Sequence, residues 1–145
     1  MSLSRRELSA LLPALFAAQS SGQTTSIGVL PSKAYEYSEL PVKTNAENGA
    51  ESRQVFRGET HGGFEIACHM TKLMPGTSPH PPHKHLNEEI FFLREGTIEL
   101  TVEGKTSRIG PGSVMYIASN EMHGAKNVGD VPAQYFILEL DGQKA

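Results

Sequence analysis

Apolar and polar residues alternate along most of this chain with the two-residue period of strands that have one dry and one wet face. Ile98, Leu100 and Val102 alternate with Glu99, Thr101 and Glu103, so one face of that segment is buried and the other hydrated. The same short pattern, broken by Gly, Pro or Asn turns, recurs over 54–57, 64–73, 89–94, 97–102, 105–109, 114–117 and 133–140. Strands of this length at this spacing predict an all-β antiparallel sandwich or barrel. Glu95-Gly96 and Glu103-Gly104 read as hairpin turns, where glycine takes a positive φ without steric cost. Ile90-Phe91-Phe92-Leu93 is apolar at every position, which predicts that its outer face is covered as well. A homodimer is expected on that ground, with residues 27–40 contributing to the interface.

Length and charge narrow the classes. At 145 residues the chain is one ordinary domain with a terminal extension, large enough to bury a core without staples. A formal charge of -3 gives no electrostatic case for nucleic acid, and no basic run or aromatic-basic stripe suggests one. Cys68 is the single cysteine, so no internal disulfide forms; alternating with Ile66 and Met70, it reads as a buried apolar side chain. No Ser-His-Asp order, P-loop or dinucleotide-binding glycine pattern occurs.

The first 26 residues read differently from the rest. Ser4-Arg5-Arg6-Glu7-Leu8-Ser9 precedes a small-residue apolar stretch, Ala10 to Ala18, and then polar Gln19-Ser20-Ser21-Gly22. Paired arginines before a short apolar core resemble a twin-arginine export signal, which implies a periplasmic protein that folds before translocation. The alternative is an amphipathic helix over 4–19, capped by Ser4, in a cytoplasmic protein. The apolar run is too short to span a bilayer, so no membrane segment is expected in the mature form. Residues 27–145 are read as the single β domain.

The chemistry sits in one segment and one distant residue. Between Gly76 and Gly96 the chain reads G-T-S-P-H-P-P-H-K-H-L-N-E-E-I-F-F-L-R-E-G, and His123 follows later, ahead of Asn127. In an extended segment His83 and His85 share a face while Lys84 points away. Glu89 falls on the inward face with Phe91 and Leu93 if the chain bends through Leu86-Asn87, and Glu88 then faces out. One strand cannot surround an ion, so a further ligand has to come from another strand, and His123 is placed for that. Three imidazoles and a carboxylate are a complete ligand set for a divalent transition metal. Fe, Mn, Zn, Ni and Cu all remain open. His61, His69 and His80 read as surface residues, and Asn127 as a residue that fixes the backbone of its turn.

These residues resemble the cupin superfamily, specifically its small single-domain RmlC-like members. Gly76, His83, His85, Glu89 and Gly96 follow the first cupin motif, with one extra residue between Gly76 and His83. Gly112, His123 and Asn127 fall in register with the second, where Ala118 and Asn120 replace a Pro and a Gly. The resemblance spans roughly residues 50–140 and implies a double-stranded β-helix, or jelly-roll barrel, with His83, His85, Glu89 and His123 on one metal. It also implies a small-molecule ligand. The function expected is that of a metal-dependent enzyme, by dioxygenase-type or Lewis-acid chemistry, acting on a small oxygen-rich substrate; a non-catalytic store or sensor is the alternative. Phe91, Leu93, Met115 or Tyr116, and Phe136 are the expected pocket walls. Tyr116, His80 and Glu121 are the candidates for proton transfer, with Tyr116 put first as a catalytic group.

Overall fold

The computed structural model describes residues 27–141, so the export-signal or helix reading of residues 1–26 lies outside the described residues. Among the described residues nine strands form: β1 (Val42–Thr44), β2 (Glu51–Glu59), β3 (Glu65–Leu73), β4 (Glu88–Glu95), β5 (Ile98–Val102), β6 (Lys105–Ile109), β7 (Val114–Ile117), β8 (His123–Asn127) and β9 (Ala133–Leu140). One sheet has the order β1-β2-β3-β9-β4-β7 and the other β6-β5-β8, and the named ladders are all antiparallel. This is the antiparallel all-β architecture expected from the strand pattern, in the jelly-roll form that the cupin resemblance implies. Among the described residues no helix is long and apolar enough to cross a membrane.

The inward rows carry a gradient that locates the site. The β4–β9–β3 ladders align Leu93, Tyr135 and Thr71 at one level, Phe91, Ile137 and His69 at the next, and Glu89, Glu139 and Ala67 beyond them. On the opposite sheet the levels run Ile98 with Asn127, Leu100 with Ala125, and Val102 with His123. The inner rows of β4 and β9 therefore start apolar and end in a carboxylate, Glu89 and Glu139, and β8 brings His123 to the same end. Leu73, Phe91, Leu93, Ile98, Leu100, Ala133 and Tyr135 fill the apolar end, with Phe91 and Tyr135 stacked at a 4.2 Å centroid distance. Burying side chains of this size contributes about 1.5–3 kcal/mol each, so the core fixes the register on which the polar end depends.

Two turn readings divide on which sheet the strands join. Glu103 and Gly104 both have positive φ, 46° and 75°, and close the two-residue β5–β6 hairpin as expected. Glu95-Gly96 is not a hairpin turn: β4 and β5 belong to different sheets, and the chain crosses between them there. Gly96 is required for another reason. A Cβ at Gly96, whose φ is 83°, would lie 2.6 Å from Ala133 Cα, so the crossing is a close backbone approach. Strand β8 and the short β1 were missing from the sequence reading. His123–Asn127 is too polar to show alternation, and its pairing with β5 makes it a strand.

The 27–40 segment packs on β2: Val29 bridges Glu59, and Leu30 fills the space above Gly58. Among the described residues nothing covers the outer face of β4 and β7. Phe92, Val114 and Tyr116 are 41%, 58% and 55% exposed.

Candidate metal centre

The first ligand segment enters on the loop between β3 and β4, and the last histidine opens β8. What joins them is a two-residue antiparallel bridge: His83 N–H donates to His123 O at 2.9 Å, and His123 N–H donates to His83 O at 2.8 Å. Asn120 N–H also donates to His85 O at 2.8 Å, which ties the β7–β8 loop to the first motif. Asn120 itself has φ 63°, so the residue that stands where the motif has a glycine still adopts the left-handed turn that asparagine tolerates.

The bridge and loop bring His83, His85 and His123 together with ring centroids 4.6–5.1 Å apart. One ligand atom from each lies within 4.8 Å of the others, so the three imidazoles could hold a metal ion. Glu89 is buried at 6% exposure, with Oε1 3.0 Å from His85 Nε2 and Oε2 3.7 Å from His123 Nε2. Glu88 faces away on the same strand, as its parity requires.

The hydrogen bonds behind the rings settle which nitrogens are free. His85 Nδ1 is 2.9 Å from Asn87 O and His123 Nδ1 is 2.8 Å from Glu121 O. A carbonyl only accepts, so both rings carry a proton on Nδ1 and turn Nε2 toward the Glu89 carboxylate, His85 Nε2 lying within hydrogen-bond distance of Oε1 at 3.0 Å. The buried His123 Nε2, by contrast, has no hydrogen-bond partner among the described residues. Such an arrangement calls for a cation. His83 is held neutral, its pKa lowered to about 4 by burial first and by His80, His123 and His85 next, so a proton is a poor occupant at that ring. A set of imidazole nitrogens with a neighbouring carboxylate suits a borderline divalent transition metal, and the residues present therefore fit one.

Other expectations are corrected. Tyr116, the first choice for catalysis, points outward from β7 and is more than half exposed; Met115 and Ile117 have the inward parity. Its phenol is directed to Glu88 on the same outer face, which raises its pKa. Phe136 also faces out, opposite Phe92, and Tyr135 and Ile137 line the cavity in its place. Glu121 contributes its backbone oxygen to His123 and its side chain to Ala118 N–H, so it shapes the loop. His80 is exposed, yet it stands edge-on to His83 at 4.2 Å and lines the cavity, so it is a rim residue and not simply surface. His69 was read as surface and is not: it lines the cavity as well. The signal was present in its parity with Ala67 and Leu73. Asn127 behaves as expected, its amide holding the backbone at Leu73, Val131 and Gly129.

The cavity around these groups has a volume of about 310 Å³, room for a small metabolite. Phe91, Leu100 and Ile117 form its apolar floor.

A profile described as the cupin domain matches residues 69–139. L-ectoine synthases of Bordetella parapertussis and Bordetella bronchiseptica are each 34% identical over 73 residues, which is 50% of this chain and 54% of theirs. The chain thus spans about half the length of these curated relatives. Among solved structures, KdgF from Halomonas sp. superposes with a TM-score of 0.66 at 19% identity, covering 79% of this chain and 97% of that one. A Thermotoga maritima protein described as a predicted oxalate decarboxylase superposes with a TM-score of 0.62 at 22% identity, covering 76% and 100%. At these identities the two superpositions speak to the fold.

Proposed function

The chain belongs to the cupin superfamily, and from that premise we propose that it is a metal-dependent enzyme acting on a small oxygen-rich molecule. One observation carries the reading. His85 and His123 have their Nδ1–H groups fixed by Asn87 O and Glu121 O, so their Nε2 atoms converge on the buried Glu89 carboxylate beside His83. His83, His85 and His123 would hold the ion, and Glu89 is the fourth ligand proposed. When bound, a divalent ion would supply Lewis acidity or a site for redox chemistry. The protein's own residues do the rest. The backbone carbonyls keep the rings oriented. Phe91, Leu100 and Ile117 make a dry floor against which the apolar part of a substrate packs, and the open rim at Pro79-His80 admits it. The L-ectoine synthases, matched at 34% identity over about half their length, support an enzyme and leave the substrate open.

The test is metal analysis of protein purified without chelator, followed by turnover and oxygen-uptake screens with catechols, thiols and keto acids. Bound metal with turnover of one class is expected. Tight metal with no turnover across the panel would move the protein to the alternative class of non-catalytic binders.

A homodimer is proposed as the working form, supported by the exposed row Phe92, Val114 and Tyr116 on the outer face of β4 and β7. Light scattering that gives a monomer mass at micromolar concentration would remove it. Export through the paired Arg5-Arg6 segment is proposed on the sequence alone, and fractionation of cells producing the full chain checks it.

A further inference from the structure

The register sets a second titratable pair inside the cup. His69 on β3 and Glu139 on β9 belong to the inward rows that also carry Leu73 and Tyr135. His69 Nδ1 lies 3.4 Å from Glu139 Oε1, and the two side chains keep only 23% and 24% of their surface exposed. Both line the cavity that holds His83, His85 and His123. Glu139 stands directly across from Glu89 in the β4–β9 ladder, which places this pair beside the imidazole cluster. His69 also lines an adjoining cavity of about 350 Å³ that reaches exposed Thr44 and Ser52.

We propose that His69 is the proton-transfer group of this site, positioned by Glu139, and that it serves a small 2-oxo acid bound beside the imidazole cluster. The inference rests on the reading of that cluster as a metal centre. The chemistry follows from which atoms face each other. An ionised carboxylate only accepts, so Glu139 keeps the His69 proton on Nδ1 and leaves Nε2 as the base. The contact with His69 holds the Glu139 carboxyl below its ordinary range, ahead of burial, which acts the other way. An anion behind the ring also stabilises the imidazolium formed when Nε2 gains a proton.

In the step proposed, the C3–H bond next to the substrate's carbonyl breaks, its electron pair forms the C2–C3 double bond as the carbonyl π pair moves onto oxygen, and the proton goes to His69 Nε2. Return of a proton from Nε2 to the same carbon completes the exchange. The second cavity gives Nε2 its exchange route with water. A 2-oxo acid suits both parts of the site, because it carries two adjacent oxygens for the cluster and an acidic C3–H for the base.

Two measurements test this. In histidine-labelled, metal-free protein, ¹⁵N NMR should find His69 with Nδ1 protonated and Nε2 bare, and Glu139→Gln should bring in the other tautomer. In D₂O, zinc-loaded protein should place deuterium at C3 of pyruvate, 2-oxobutanoate or 2-oxoglutarate. His69→Gln should lower that rate by about 100-fold at unchanged zinc content, and Glu139→Gln by about 10-fold. Free imidazole should restore part of the rate to His69→Ala, which a purely structural role would not allow. An Nε2-protonated His69, no exchange by zinc-loaded wild type on any of the three acids, or full exchange by His69→Gln overturns the proposal and leaves the metal centre standing. Wild type that takes up no zinc overturns both, and metal analysis alone tells that case apart.

Discussion

Asn127→Asp is the sharpest test of how the site is held. The residue is fully buried, and its Nδ2 donates to Leu73 O at 3.0 Å and to Val131 O at 2.8 Å while Oδ1 accepts from Gly129 N–H at 2.9 Å. Aspartate fills the same volume, so no cavity arises and the change isolates the two donors. It removes the donor from the buried Leu73 carbonyl and from the half-buried Val131 carbonyl, and aims carboxylate lone pairs at both. At about 1–3 kcal/mol for each buried group left without a partner, the loss is about 2–6 kcal/mol. That is a large share of the roughly 5–15 kcal/mol that holds an ordinary domain together. With a urea slope of about 2 kcal/mol/M, the midpoint should fall by about 1–3 M. Urea titration followed by circular dichroism reads it directly. Asn127→Ala should cost a comparable amount through all three lost bonds. An Asp variant whose midpoint stays within about 0.5 M of wild type would refute the claim that this amide ties β8 to β3.

Three further outcomes are expected. His85→Ala or Glu89→Gln should lower metal occupancy strongly, and His80→Ala should leave it nearly unchanged, as read by metal analysis of folded protein; equal loss in all three would mean that different imidazoles coordinate. The metal-free protein should lose thermal stability as pH falls from 6.5 toward 4, because unfolded His83 takes up a proton over that range while folded His83, with its pKa lowered to about 4, does not. His83→Gln should flatten that slope in melting curves, and an unchanged slope would contradict it. Gly96→Ala should lower the melting temperature by well over 10 °C or prevent folding, since its Cβ would meet Ala133 Cα at 2.6 Å and the backbone has φ 83°; a near-neutral melting temperature would show that the β4–β5 crossing yields.

How far these features could be read from the residues depends on parity. The barrel and the convergence of His83, His85 and His123 were legible, because period-two alternation fixes faces and two separate motifs carry the donors. Tyr116 and Phe136 were misplaced because their registers had been left open, although Met115 and Ile117 on one strand and Tyr135 and Ile137 on the other already claim the inward positions. The same rule would have turned His69 and Glu139 inward. Strand β8 had no such signal: His123, Ala125 and Asn127 form an inward row with one small apolar member, and only the long-range pairing with β5 reveals it. Gly96 had a signal that was assigned to the wrong cause, since a positive φ suits both a hairpin and a backbone crossing.

The bridge between His83 and His123 has a consequence for the life of the chain as it is made. The two backbone bonds that bring these rings together cannot form until residue 123 has left the ribosome, and the Asn127 amide that anchors the same strand arrives later still. A nascent chain ending before that point carries His83, His85 and Glu89 on an open loop, without the geometry that selects one ion over another. Any ion held by the three imidazoles would therefore bind only once β8 has paired, so closure of that strand precedes capture.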